Sequence, residues 1–127
     1  METSRTIELN SENADEVRSR DGIVLVDCWA SWCRNCDEFA EAYRRAAERN
    51  PDHAFATLDT QEQKELRESL GIQHIPSLLV YRDGVLLFKQ AGSFDEATLN
   101  DIVAQAKSLD MDLVRAELAS TASERAN

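Results

Sequence analysis

Residues 22–36 read GIVLVDCWASWCRNC, a nearly continuous apolar run that leads into two cysteines separated by two residues. The run is rich in β-branched residues and carries one acidic residue, Asp27, in its middle. A segment that is apolar on both faces predicts a central strand covered by helices on each side. After a short turn the pattern becomes helical, so Cys33 and Cys36 are expected at a helix N-terminus. A C-x-x-C pair in this context indicates redox chemistry.

The composition limits the classes of partner and the compartment. The chain has 127 residues, a length typical of one domain with its own hydrophobic core. It has 14 Lys and Arg against 24 Asp and Glu, a formal net charge of −10, which argues against nucleic acid and anionic membranes as partners. We see no signal-peptide pattern, and no apolar run approaches the roughly 20 residues of a membrane span. We therefore expect a cytoplasmic protein whose cysteine pair cycles between thiol and disulfide.

The rest of the chain alternates between short strands and helices. Strands are predicted at residues 6–9, 23–29, 53–58, 77–81 and 85–88. Helices are predicted from Asn10 or Ser11 to Ser19, from the cysteines to Asn50, from 62 to 70, and from Asp95 onward. The Asp-Gly pair between the last two strands is typical of a tight hairpin.

The C-terminal part shows an apolar face that resumes beyond Lys107. The final helix is therefore expected either to continue or to restart there, with Ser108 or Asp110 as the cap. Residues 120–127 contain no apolar anchor. We therefore predict one domain at residues 1–119 and a flexible tail at residues 120–127.

The order of elements, β-α-β-α-β-α-β-β-α, predicts an α/β fold with a central mixed sheet between helices. Together with its motifs, the chain resembles the thioredoxin family from about residue 6 to residue 107. The matching segments are VLVDCWASWCRNC (24–36), GIQHIPSLLVYRDG (71–84) and QAG (90–92). The resemblance implies a thioredoxin fold, here with an extended C-terminal helix. It also implies a protein thiol–disulfide oxidoreductase with roles in electron transport and cell redox homeostasis.

The two cysteines are expected to have different roles. Cys33 and Cys36 share one helix face at a spacing where a disulfide can close. Only Cys33 lies where free backbone N–H groups and the helix dipole stabilise a thiolate, so we expect it to be the exposed nucleophile. Cys36, one turn inside, would then resolve the mixed disulfide. Burial of Asp27 raises the pKa of its carboxyl, so it is the candidate proton acceptor and donor for Cys36, the role the resembled family assigns to this position.

The resemblance also implies a docking surface for protein disulfides. It identifies Pro76 with the family's cis-proline, which lies against the disulfide. Trp32, Ile75, Pro76 and Gly92 would then form a flat apolar patch. His74, where a glycine is usual, would narrow this patch or add a titrating group to it.

Besides His74, the chain departs from the family pattern at four further positions. Arg34 and Asn35 replace the Gly-Pro pair usual between the cysteines, so we expect these two residues to tune the redox potential. A cation beside Cys33 favours its thiolate and makes the pair a stronger oxidant. Glu41 stands where the family has a helix-kink proline, and Thr57 stands where a lysine is common.

Two alternatives stay open at this point. The first is a thioredoxin-like chaperone or adaptor module with weak or vestigial redox activity. The second is a zinc site, which would need two more ligands from Cys28, His53 and His74, at no familiar spacing. We predict no metal and no cofactor beyond the redox-active cysteine pair, with Cys28 as a small buried hydrophobe. The expected partners are protein disulfides and a reductase or other thiol donor.

Overall fold

The computed structural model of the chain describes the backbone of residues 6–126 and the side chains of residues 6–120. Within these residues the strands are β1 (Ile7–Glu8), β2 (Ile23–Trp29), β3 (Ala54–Asp59), β4 (Ser77–Arg82) and β5 (Val85–Ala91). The helices are α1 (Ala14–Arg18), α2 (Arg34–Arg49), α3 (Lys64–Ser69), α4 (Glu96–Ser108) and α5 (Met111–Ala126). This order confirms the predicted α/β class.

The strands form one mixed sheet in the order β1-β3-β2-β4-β5. Strands β1, β3 and β2 are parallel, whereas β4 runs antiparallel to both β2 and β5. The predicted central strand β2 does lie in the middle. Because Cys28 of β2 pairs with Ser77 of β4, the residues just before Ser77 lie beside the C-terminal end of β2, where the chain leads into the cysteines.

Each face of the sheet carries its own hydrophobic core. One face packs against α2 and α4, and its core includes Leu25, Phe39, Tyr43, Phe55 and Leu99. The other face packs against α1 and α3, and its core includes Val17, Val24, Val26, Cys28 and Leu58. Because successive side chains of a strand point to opposite faces, Asp27 shares the face of Leu25, beneath α2.

In α2, apolar residues at spacings of three and four predict a buried face of Phe39, Ala40, Tyr43, Ala46 and Ala47. The observed face differs from it in one position. Phe39, Tyr43, Ala46 and Ala47 are buried as predicted, but Ala40 is exposed. The buried stripe passes instead through Ala42, which lies three residues after Phe39 and four before Ala46. Ala40 has the spacing of a buried position, four residues after Cys36 and three before Tyr43. It is nevertheless exposed because it lines a cleft beside α2.

Two helices begin later than the sequence suggested, because side chains hold the preceding backbone in turns. The Asn10 side chain accepts hydrogen bonds from the N–H groups of Glu12 and Asn13, and α1 begins only at Ala14. The Asp59 side chain accepts in the same way from the N–H groups of residues 61 and 62, and α3 begins only at Lys64.

The C-terminal helix restarts rather than continues. Helix α4 ends at Ser108, and the Asp110 side chain accepts from the N–H groups of Asp112 and Leu113 in the first turn of α5. Helix α5 then runs through Ala126, and Asn127 lies outside the described residues. The division into a domain at 1–119 and a flexible tail at 120–127 stays a prediction. No helix in the described part of the chain is both long and apolar enough to span a membrane.

Candidate active site

Cys33 and Cys36 form a disulfide at the N-terminus of α2, with their Cα atoms 5.4 Å apart. Cys33 is the N-cap residue in an extended conformation, and Cys36 lies in the first helical turn. The β2 strand delivers this loop, and the Cys33 N–H donates to the Ala30 carbonyl to close the turn before the helix. The position at which the sequence placed the pair is therefore the one observed.

The predicted exposure of Cys33 is wrong for this disulfide form. Cys33 is 8% exposed and Cys36 is 3% exposed. Cys33 remains the more accessible of the two, but its sulfur is turned toward the buried Cys36 by the bond between them.

Asp27 is buried beneath α2 without a hydrogen bond to its Oδ1 atom. The residue is 2% exposed, and burial raises the pKa of its carboxyl from an ordinary 3.8 to about 7. An unpaired buried carboxylate is costly, and such a group in a folded protein usually has a functional reason. At neutral pH this carboxyl can both take up and release a proton.

A cleft of about 570 Å³ reaches Asp27 from the surface between α2, β1 and β3. Thr57 is the neighbour of Asp27 across the β2–β3 pair and lines the cleft with it. Glu41 and Arg44 also line it and form an ion pair of 2.7 Å. Sequence reasoning noted Glu41 and Thr57 only as departures from a pattern, because their approach to Asp27 depends on strand register and helix placement.

Of the docking residues expected from the resemblance, Pro76 and Gly92 are in direct contact. The Ile75–Pro76 peptide bond is cis, and the Gly92 N–H donates to the Pro76 carbonyl at 2.8 Å. Pro76 is buried, Ile75 is half-buried, and His74 is exposed. Trp32 is 65% exposed, at the end of the loop that β2 delivers.

A second groove adjoins Trp32, and sequence reasoning did not identify it. It has a volume of about 490 Å³ and lies between Trp32 and α3. Gln61, Lys64 and Ile72 contribute to its walls. The Ser31 hydroxyl donates to Gln61 at 2.8 Å and so ties the active-site loop to the segment that leads into α3.

The residues between Cys33 and Cys36 are exposed, whereas the third cysteine, Cys28, is buried. Arg34 and Asn35 are exposed, and among residues 6–120 no carboxylate forms an ion pair with Arg34. Cys28 is fully buried on the face of the sheet opposite to α2, and burial raises the pKa of its thiol to about 12. Cys28 therefore behaves as the small buried hydrophobe that was predicted.

The metal alternative finds no ligand cluster in the described part of the chain. Within residues 6–126, no group of three or more His, Cys, Asp or Glu side chains is arranged to hold a metal ion. The two candidate thiolate ligands, Cys33 and Cys36, are joined in the disulfide.

Comparison with known proteins identifies the family. The family model described as Thioredoxin matches residues 5–105. The chain is 45% identical over 114 residues to the protein named "Putative thioredoxin 2" of Streptomyces coelicolor, which covers 90% of this chain and 85% of that protein. It is 32% identical over 87 residues to a thioredoxin of Geodia cydonium, which covers 68% of this chain and 82% of the other.

The fold matches as well. A solved structure of a mutant thioredoxin from Halobacterium salinarum superposes with a TM-score of 0.76 at 26% identity, over 87% of this chain and 98% of that one. Membership of this family implies disulfide-containing protein substrates and a reductase. The chain belongs to the thioredoxin family, and it is a thiol–disulfide oxidoreductase that acts through its own C-x-x-C cysteines.

Proposed function

We propose that this oxidoreductase reduces protein disulfides with Cys33 as the nucleophile, Cys36 as the resolving thiol and Asp27 as the proton acceptor and donor for Cys36. The observation that carries the proposal is the buried, unpaired Asp27 carboxyl beneath the helix whose first turn holds the pair. A carboxyl that titrates near pH 7 in this position is matched to the deprotonation of a buried thiol.

The reaction proceeds in two exchanges. In the reduced protein, the Cys33 thiolate, stabilised by the free N–H groups at the start of α2, attacks one sulfur of the substrate disulfide. A Cys33–substrate bond forms, the substrate disulfide breaks, and one substrate thiolate leaves and takes a proton from solvent. Asp27 then accepts the proton of Cys36. The Cys36 thiolate attacks the Cys33 sulfur, closes the internal disulfide, and releases the second substrate thiolate.

The surface around Trp32 supports docking of a protein rather than a small thiol. Trp32 presents a large exposed aromatic face, and Ile75, Pro76 and Gly92 form the backbone-rich surface that we assign to substrate contact. We assign His74 to the rim of this docking patch because it is exposed and precedes Ile75 directly. Arg34 and Asn35 are exposed beside Cys33 and are assigned to redox tuning.

The electron donor and the compartment are also part of the proposal. We infer a reductase or another thiol donor that returns the Cys33–Cys36 disulfide to the dithiol after each turnover. We also infer a cytoplasmic location, where thiols are kept reduced. The likeness to a bacterial thioredoxin supports both inferences. No metal and no further cofactor enters the proposed reaction.

The test is reduction of insulin disulfides coupled to dithiothreitol. We expect a rate well above the dithiothreitol background for the wild type and no such rate for Cys33→Ser. Cys36→Ser should accumulate a mixed disulfide through Cys33. The matched control is Cys28→Ala, which removes a thiol from the opposite face and should keep the wild-type rate. A wild-type rate equal to the background would contradict the proposal.

One observation favours the adaptor alternative as a second candidate function. Helix α5 lies beyond the matched residues 5–105, and it exposes 66% of Leu113 and 51% of Leu118. An adaptor or chaperone role would use such a surface without the cysteines. If the Cys33→Ser/Cys36→Ser protein suppresses the thermal aggregation of a cysteine-free client as well as the wild type does, and Leu113→Ser abolishes this effect, the second function is present.

A further inference from the structure

We propose that the cleft beside α2 is the route by which Asp27 exchanges protons with solvent, and that Thr57 acts as a positioning residue that keeps this route open. The inference rests on the proposed role of Asp27 as the base for Cys36. It adds the path by which the proton, once taken from Cys36, leaves the protein.

Of the two strands beside β2, only β3 places a polar side chain next to Asp27. On the β4 side, the neighbour of Asp27 in the sheet is Leu78, which is fully buried in the core beneath α4. On the β3 side, the neighbour is Thr57, which lines the same cleft as Asp27. The Asp27 Oδ1 atom has no hydrogen-bond partner within the protein, and Asp27 itself lines the cleft.

Thr57 is short enough to leave the cleft open beside Asp27. The cleft holds about 570 Å³, far more than the roughly 30 Å³ that one water occupies in the liquid. The threonine hydroxyl can donate to and accept from such water. A long side chain at this position would occupy the space that water uses.

The position of the cleft matches the requirement of a bound substrate. The proposed docking patch consists of Trp32, His74, Ile75, Pro76 and Gly92, and none of these residues lines the cleft. A protein docked on that patch would cover the Cys33–Cys36 pair and leave the cleft beside α2 open to solvent. The proton of Cys36 can therefore leave through the cleft while the mixed disulfide is still bound.

The rate of proton exchange along this route depends on pH through the charged and titrating groups around it. They are Asp37, Glu38, Glu41, Tyr43 and Arg44 of α2 along the cleft, with Cys36 in the same helix and Cys28 next to Asp27 on β2. Tyr43 donates its hydroxyl hydrogen to the Ala56 carbonyl and stays protonated, since burial raises its pKa well above the ordinary value. The Arg44 guanidinium lowers the pKa of Glu41, so an ionised carboxylate stands in the cleft to accept hydrogen bonds from water.

The first test blocks the cleft and follows the two exchanges separately by stopped-flow fluorescence. Thr57→Met should slow resolution of the mixed disulfide by about tenfold at pH 7, a part of what a general base contributes, and leave its formation unchanged. Thr57→Ser, which keeps the hydroxyl and the space, should resolve at the wild-type rate. Ala40→Leu blocks the same cleft from the exposed side of α2, so a folding defect of Thr57→Met does not decide the result. Its matched control is Ala104→Leu, at an exposed position of α4.

The second test is chemical rescue, which a merely structural role of Thr57 would not affect. In Asp27→Ala, formate should enter the cleft and restore resolution in a saturable way. In Asp27→Ala/Thr57→Met, the same formate concentrations should restore none. If formate rescues both variants equally, or if both cleft-blocking variants resolve at the wild-type rate, the route is wrong.

The two proposals fail in distinguishable ways. If Asp27→Asn resolves the mixed disulfide as fast as the wild type, the base role itself is wrong, and the route falls with it. If Asp27→Asn is slow but Thr57→Met and Ala40→Leu are both fast, the base role stands and only the route is overturned.

Discussion

Two aspartates lie at opposite ends of the sheet and have opposite surroundings. Asp83, beside the start of β2, accepts a hydrogen bond from the Gly22 N–H at 2.7 Å, and its own N–H donates to the Gly22 carbonyl at 2.8 Å. Its carboxylate also lies 3.9 Å from both Arg82 and Arg115. Asp27, near the other end of β2, has an Oδ1 atom with no partner. The hydrogen-bonded carboxylate of Asp83 stabilises the fold, whereas the Asp27 carboxylate is available for proton transfer.

The contrast extends to the surroundings of each aspartate. Beside Asp83, the Arg82 guanidinium donates to the carbonyls of Ala106, Lys107 and Leu109 at 2.7, 3.0 and 2.7 Å. These carbonyls lie at and just after the end of α4, where carbonyls lose their partners within the helix, although the Ala106 carbonyl also accepts from the Leu109 N–H. At the Asp27 end, Trp32 is exposed and the disulfide is buried beside it, with Cys33 the more accessible cysteine. One end of the sheet is therefore closed by hydrogen bonds, and the other is kept available for a partner.

The largest expected effect on stability comes from replacing Asp27, whose buried carboxylate has an oxygen without a hydrogen-bond partner. In the unfolded chain Asp27 ionises near pH 3.8, whereas in the native protein it ionises near pH 7. Between these values the native state holds more protons, so its stability falls as pH rises, and above pH 7 the loss is constant. Asp27→Asn removes this loss, so its stability gain over the wild type should grow from near zero at pH 4 to about 4 kcal/mol at pH 8. Urea unfolding of the oxidised proteins at several pH values measures the difference.

The same substitution separates stability from activity. Asp27→Asn should slow resolution of the mixed disulfide more than its formation, because only resolution needs the base. A stability difference that does not change between pH 4 and pH 8 would show that Asp27 ionises normally in the folded protein. The comparison of the two aspartates would then lose its basis.

A smaller effect of opposite sign is expected at the satisfied aspartate. Asp83→Ala removes the bond to the Gly22 N–H and places alanine at φ 52°, so it should cost about 2 kcal/mol of unfolding free energy with little change in insulin reduction. Asp83→Asn is the matched control, since asparagine can accept the same bond and tolerates positive φ. A large loss of activity in folded Asp83→Ala would mean that the two ends of the sheet are coupled.

The smallest expected effect lies between the cysteines. Arg34→Gly removes an exposed cation beside Cys33, so it should stabilise the disulfide relative to the dithiol and make the pair harder to reduce. Because Arg34 is solvated, we expect less than about 1 kcal/mol, or roughly 20 mV. A glutathione redox titration measures it, with Arg45→Gly, an exposed arginine further along α2, as the control. An unchanged or more oxidising potential would contradict the assignment of Arg34 to redox tuning.

Much of the fold could be predicted because local patterns and tertiary packing agree. The apolar run of β2 predicted a central strand, and the Asp83–Gly84 pair predicted the hairpin that joins β4 and β5. The start of α1 was placed too early because Asn10 offers two outcomes, a helix cap or a turn, and its side chain makes the turn. Ala40 was assigned to the buried face of α2 because it lies three residues before Tyr43, whereas in the structure it lines the cleft and is exposed.

By itself, the sequence determined the chemistry: the C-x-x-C pair at a helix start, the acidic residue inside an apolar strand, and the family to which they belong. These follow from residue types and short spacings along the chain. The tertiary structure alone decided that the Asp27 Oδ1 atom has no partner, that Thr57 stands beside it, and that a cleft opens there. Those facts depend on which residues strand register and helix packing bring together, and residues 27 and 57 are too far apart in the chain to carry a local signal of it.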